Sequence, residues 1–209
     1  MHRAPHPILI ATNSADKAAE LRAILAPVLQ HELRTLAELD VPPPEDDIEI
    51  HHSFRANAIA KARYFAGVTG MTVMSDDSGI VVHALGGLPG VHSKRFSRRT
   101  DLHGRALDHA NNTLLLDRLV HLPAEDRTAH YTCAAVWLEP DHAPVCTLAT
   151  VTGEIAHAPA GTAGFGYDPI FFFPPLDRTF AQLAPSVKNQ HSHRGRAIRA
   201  LAASLAQIP

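Results

Sequence analysis

Cysteine is nearly absent from this chain. Cys133 and Cys146 are the two thiols in 209 residues. Their spacing fits no zinc motif, and two thiols make no disulfide framework. Reduced core thiols are the expectation. An excess of charge of one sign is also missing. Nineteen Lys and Arg face 21 Asp and Glu, for a net charge of −2. No global basic field therefore draws the chain to DNA or RNA. No apolar run approaches the roughly 18 residues of a membrane span. The first one, Ile8-Leu9-Ile10-Ala11, is too short for the core of a signal peptide. A cytoplasmic protein without membrane or nucleic-acid partners is expected. Repeats and low-complexity tracts are lacking too, and no composition shift marks a linker. What is present is ordinary globular material, with 45% apolar residues and a mean hydropathy near zero. The length suits one domain over residues 1–209, or two lobes sharing a core. Fifteen histidines would make the chain clearly cationic below about pH 6.5.

The hydrophobic pattern alternates between elements. Ile8 to Ala11 reads as a buried strand, followed by polar Thr12-Asn13-Ser14 and a helix carrying Ala18, Leu21, Leu25 and Val28. Pro27 ends the regular helix by Ala26. Strand, polar loop and helix present a helix N-terminus to an anion, although the glycines and Lys-Ser/Thr pair of a Walker loop are missing. Val41 to Asp47 is a Pro-rich acidic loop. A second helix runs from an N-cap at Ser53 to about Thr69. Thr72 to Met74 is a strand that ends at Ser75-Asp76-Asp77-Ser78-Gly79. Gly86-Gly87-Leu88-Pro89-Gly90 is a turn-rich hinge. A helix over 101–119 carries Leu102, Ala106, Ala110 and Leu114 inward. Runs at 129–138 and 145–155 form a long hairpin. A Gly-rich loop at 161–166 precedes Ile170-Phe171-Phe172-Phe173. The last helix starts near Ser192, with a stripe of Ile198, Leu201, Leu205 and Ile208. The order predicts an α/β fold with a mixed sheet.

Asp76 and Asp77 are the chemical centre of this pattern. Two adjacent carboxylates repel unless a cation neutralises them or one takes a proton. Mg²⁺ suits such oxygen ligands and shares them with substrate phosphates. A polar turn that stops a strand is the plain alternative. In Gly161-Thr162-Ala163-Gly164-Phe165-Gly166-Tyr167-Asp168-Pro169, the glycines let backbone approach a ligand. Phe165 offers a face to a nucleobase and Asp168 an acceptor for its edge; a tight loop with a buried Phe and a turn Asp is the alternative. His193 and Arg194 sit in the first turn of the last helix if Ser192 caps it. Cations there oppose the helix dipole, and a broken local rule often marks a site. Lys61 follows Asn57 by one helical turn, and Glu49 precedes that helix. The cations Lys94, Arg95, Arg98, Arg99 and Arg105 read as a solvated face or a subunit contact.

Four blocks taken together resemble the inosine triphosphate pyrophosphatase or Ham1 family. They are Ala11-Thr12-Asn13-Ser14-Ala15-Asp16-Lys17; Asn57 through Asp76-Asp77-Ser78-Gly79 to Pro89-Gly90; Gly164-Phe165-Gly166-Tyr167-Asp168-Pro169; and Lys188 with Ser192-His193-Arg194-Gly195. They occur in family order over nearly the whole chain. Asn13 and Ser14 depart from the family's usual Gly and Asn, and Ile48 replaces an acid common beside Glu49.

The resemblance implies an elongated α/β fold with a mixed sheet, flanking helices and two lobes around a central cleft, usually as a homodimer. It implies a Mg²⁺-dependent enzyme that cleaves ITP, dITP or XTP to the monophosphate and pyrophosphate. Carried over, Thr12, Asn13, Ser14, Ala15, Asp16 and Lys17 hold phosphates. Asp77 is proton acceptor and metal ligand, with Glu49 as the second metal ligand. Lys17 and Lys61 stabilise phosphate charge, and Ser78 contacts substrate. Phe165, Gly166, Tyr167, Asp168, Lys188, His193 and Arg194 bind nucleoside and base. Asp76 becomes a supporting carboxylate. Rival readings are a Maf-like nucleotide pyrophosphatase, a silent nucleotide sensor and a basic-patch RNA-binding module.

Overall fold

The computed structural model describes residues 6–29, 31–42, 44 and 47–207. Pro43, Glu45 and Asp46 of the acidic loop and Ile208 of the last apolar stripe lie outside them. In chain order the elements are β1 (Ile8–Ile10), α1 (Ala15–Leu25), β2 (Leu33–Thr35), α2 (Phe54–Thr69), β3 (Thr72–Val82), α3 (Gly104–Arg118), β4 (Thr128–Leu138), β5 (Val145–Ile155), β6 (Phe171–Phe173), β7 (Arg178–Thr179), α4 (Pro185–His191) and α5 (His193–Leu205). The strands of the described residues form one seven-stranded sheet in the order β2-β1-β3-β4-β5-β6-β7. β1 runs parallel to β2 and β3, while β6 runs antiparallel to β5 and β7. The sheet is mixed and flanked by helices, as the sequence predicts.

The chain forms two compact units. One holds the chain up to Asp77, then Cys133–Ala149, then the chain from Arg194 onward; the other holds Ser78–Thr132 and Thr150–His193. The core of the first has two faces, which follow from strand alternation. Ile8, Ile10, Met74, Cys133, Ala135 and Trp137 pack with Leu21 and Leu25 of α1 and Ala197, Ile198 and Leu201 of α5. Leu9, Val73, Ala134 and Val136 point the other way, onto Ala58, Ala62 and Phe65 of α2. Both ends of α2 are chemically marked. The Ser53 hydroxyl accepts from Ala56 N at 3.2 Å, and Gly70 closes the helix at φ +65°.

The core of the second unit gathers Ile80, Val82, Leu115, Leu119, Tyr131, Val151, Phe171, Phe173 and Phe180. Beside it lies Arg127, fully buried. Its guanidinium donates to three backbone carbonyls: Leu119 O at 2.6 Å, Ile155 O at 2.7 Å and Ala156 O at 2.9 Å. It joins the end of α3 to the end of β5. Gly79 is fixed by close approach. A Cβ there would lie 2.3 Å from Ser93 Oγ and 2.5 Å from Gly90 O.

Two local expectations are overturned. The strand does not end at the acidic pair, because β3 runs through it to Val82. The weak strand propensity of Ser-Asp-Asp-Ser-Gly yields to position, since β3 neighbours β4 in the sheet and continues past the register with β1, which ends at Met74. The inward face of α3 is Asn111, Asn112 and Leu115, while Ala106 is exposed. The apolar stripe misleads there because the buried asparagines serve backbone: Asn111 accepts from Ser97 N at 2.8 Å and donates to Lys94 O at 3.1 Å. The last helix, α5, starts at His193, as expected near Ser192, and a short helix that was not predicted, α4, precedes it. Pro185 opens α4 and Ser192, extended at ψ 156°, separates the two helices.

Candidate active site

Strand alternation sends the two adjacent carboxylates to opposite faces. Asp76 shares the side of Met74, toward α1 and α5. Asp77 shares the side of Val73 and Ser75, toward α2. The contacts follow this split. Ser75 Oγ donates to Ala58 O at 2.7 Å, and Asn57 Nδ2 donates to Asp77 Oδ2 at 3.0 Å. Arg194 Nε donates to Asp76 Oδ2 at 3.2 Å, and Lys17 Nζ lies 3.7 Å from the same oxygen.

The two carboxyls therefore titrate in opposite directions. Burial disfavours the charged form of Asp76, but Lys17, Arg194 and Lys61 outweigh it and hold the group well below the usual carboxylate range. Asp77 is raised, first by burial and also by Glu49, against Lys17, Lys61 and the Asn57 hydrogen bond. Asp76 is thus a fixed anion at the base of the site, and Asp77 is the carboxyl with proton affinity. Cys133 Sγ stands 4.0 Å from Asp76. Burial and that carboxylate push its thiol up, so it is an unreactive core thiol.

The Thr12–Lys17 segment connects β1 to α1. Thr12 Oγ1 accepts from Ser14 N at 3.2 Å. Ser14 is the N-cap, its hydroxyl accepting from Lys17 N at 3.3 Å. Asn13 lies between them. Ala15 and Asp16 open the helix, and Asp16 suits its positive end. Lys61 is buried and pairs with Glu49. Burial alone would depress its ammonium, but Glu49, Asp76 and Asp77 raise it. In this unit the fold thus gathers Lys17, Glu49, Lys61, Asp76, Asp77 and Arg194. Glu20, on α1 one helical turn from Lys17, pairs with the other side of the Arg194 guanidinium. Sequence reading passed over Glu20, because an acid on a helix gives no local signal.

The remaining predicted residues belong to the second unit. Ser78 is its first residue. Lys188, from α4, pairs with Asp168, and its ammonium lies 4.7 Å from the centroid of the Phe165 ring. Asp168 Oδ2 also accepts from Phe165 N at 2.9 Å. The sequence pictures Asp168 as an acceptor for a ligand edge; here its carboxylate is committed to the loop itself. Gly164, at φ +71°, leaves room for it: a Cβ there would lie 2.1 Å from Asp168 Oδ2. Gly166 follows Phe165, and Tyr167 is buried with its hydroxyl donating to Ser93 O at 2.7 Å. His193 is buried and stacks on Tyr131 with centroids 4.3 Å apart and planes 5° from parallel.

One unit gathers cations around a buried acidic pair, and the other holds the aromatic loop at Phe165. Residues 8–204 match the Ham1 family. The chain belongs to that family. Ham1-family relatives include a dITP/XTP pyrophosphatase of Thermus thermophilus, 41% identical over 194 residues, which span 93% of this chain and 89% of the relative. Another, from Albidiferax ferrireducens, is 42% identical over 196 residues, or 94% of this chain and 96% of the relative. Among solved structures, a HAM1 protein of Coxiella burnetii has a TM-score of 0.82 at 36% identity, covering 97% of this chain and 99% of that one. The Ham1 protein of Staphylococcus aureus has a TM-score of 0.79 at 37% identity. This Ham1 chain has no helix among its described residues long and apolar enough to cross a membrane.

Proposed function

We propose that this chain hydrolyses dITP, ITP and XTP to the nucleoside monophosphate and pyrophosphate. The observation that carries the reading is the split acidic pair, with Asp77 raised toward proton transfer and Asp76 pinned by cations. Relatives about 40% identical over nearly the whole chain that are named dITP/XTP pyrophosphatases support it.

The donor chemistry fits a hard divalent cation, and we take it to be Mg²⁺. Asp77 and Glu49 are carboxylates close enough for one to raise the other. Among the described residues no group of three or more His, Cys, Asp or Glu could form a complete metal cage. Mg²⁺ commonly takes one or two protein carboxylates and fills its other positions with water and phosphate oxygens. When bound, Mg²⁺ supplies charge neutralisation for the phosphates.

The residues do the rest. Thr12, Asn13, Ser14, Ala15 and Asp16 present the N-terminus of α1 to phosphate oxygens. Asp77 takes the proton of the attacking water. Lys17 and Lys61 stabilise charge as it develops on the phosphates. Ser78 contacts substrate. Phe165, Gly166, Tyr167 and Asp168 form the platform for the base, and Lys188, His193 or Arg194 offers a donor to a 6-keto oxygen. An adenine amine would meet that donor unmatched, which rejects it strongly. A homodimer acting in the cytoplasm belongs to the same reading.

The test is a panel of ITP, dITP, XTP, GTP, ATP and dTTP with Mg²⁺, followed by separation of pyrophosphate from orthophosphate. Pyrophosphate with a keto-purine preference is expected. Orthophosphate, or no turnover on any nucleotide, would overturn the proposal. Chelation should abolish turnover and added Mg²⁺ restore it. Asp77→Asn should lower kcat by roughly 10²–10⁴-fold, the usual worth of a general base, while ITP still binds in calorimetry.

A further inference from the structure

The loop that carries Phe165 is held by a helix to which the site assigns no role. Asp108 Oδ2 accepts from Gly166 N at 2.8 Å. Asn112 Nδ2 donates to Gly166 O at 3.0 Å. Both polar backbone groups of a single residue are thus taken by side chains one turn apart on α3, spaced i and i+4 on one face. Gly166 lies directly between Phe165 and Tyr167. The bond to Asp108 is charge-assisted, so it is the stronger of the two. Asn112 is buried, and its helix packs through Asn111, Asn112 and Leu115. The other side of Phe165 is also fixed, through its own amide on Asp168 and the Lys188 ammonium at its ring.

We propose that Asp108 and Asn112 are positioning residues that clamp Gly166 and so set the place of the Phe165 ring for stacking on the nucleobase. This rests on the nucleotide-hydrolysing reading above. Neither residue acts on phosphate or water. Their loss should therefore weaken nucleotide binding and spare the chemical step. Because both act through one glycine, the double variant should cost less than the product of the two single effects.

The experiment uses the full chain with Asp108→Ala, Asn112→Ala, the double variant and Asp108→Asn, which keeps an acceptor oxygen. Steady-state kinetics on ITP are combined with amide hydrogen exchange over residues 161–168. Asp108→Ala should raise KM about tenfold, as expected for one hydrogen bond to a charged group. It should leave kcat within about twofold, the signature of lost binding, and speed exchange of the Gly166 amide. Asp108→Asn should restore most of the KM. Unchanged KM in both alanine variants overturns the proposal, and so does faster exchange without any change in KM. If Asp108→Ala fails to fold by its thermal midpoint, Asn112→Ala and Asp108→Asn carry the test. A wild type that releases no pyrophosphate from ITP defeats the hydrolase reading alone; the clamp is then judged by ITP affinity in calorimetry. A wild type that binds no ITP overturns both.

Discussion

At the scale of single residues, adjacent side chains here have opposite lives. Asp76 and Asp77 are neighbours in sequence, yet one is locked as an anion by Lys17 and Arg194, and the other gains proton affinity from burial and Glu49. Composition revealed the pair but not its division, which needs both the strand and the helices on its two faces. Gly164 shows the same dependence on surroundings. A methyl at this position would displace the Asp168 carboxylate from Lys188 and Phe165 N. Gly164→Ala is expected to lose about 3 kcal/mol or more, the usual cost of breaking a buried pair, read as a shift in the urea midpoint. Glu20, Asp108 and Asn112 were not legible in the sequence. Each is an ordinary polar residue on a helix, and its importance comes from what the fold brings opposite it.

At the scale of elements, legibility follows how locally a segment is determined. The limits of α2 could be read because Ser53 caps it and Gly70 ends it, both through bonds within the helix. The inward face of α3 could not, because Asn111 and Asn112 are buried to serve distant backbone. β3 could not be followed past Met74, because its later half is a strand through its neighbours and not through its residues. Where β3 gives way to the following turn, His83 meets His130 of β4, with Nε2 and Nδ1 3.0 Å apart. Burial holds the His130 imidazole below its ordinary value, and His83 adds to this. Glu125 and Asp126 line the depression beside His83. A lowered imidazole leaves the unfolded chain binding more protons in acid. The stability tied to neutral His130 is thus complete above about pH 6.5, the ordinary imidazole value, and is lost as pH falls below it. The thermal midpoint should drop more between pH 7.5 and 5.5 in the wild type than in His130→Gln. Parallel curves would refute this.

At the scale of the whole molecule, charge and continuity matter most. Fifteen histidines stand against a formal charge of −2. Half-protonation near about pH 6.5 is enough to reverse the sign, so electrophoretic mobility should be anionic at pH 8 and cationic by pH 6. A protein still anionic at pH 6 would mean that many imidazoles are held neutral by the fold. Mixed sheet and flanking helices were both legible, because alternating strand and helix patterns state the class before any contact is known. β3 is an unbroken strand whose fifth and sixth residues are Asp76 and Asp77. Under the proposed function, replacing Asp77 would remove the general base and leave the strand. Inserting one residue beside it would exchange inside for outside at every later position, turning Ile80 and Val82 out of the core. This strand should therefore tolerate a substitution better than an insertion, whereas the connection at 139–144, where no alternation has to be kept, should accept an added residue with little loss of thermal midpoint.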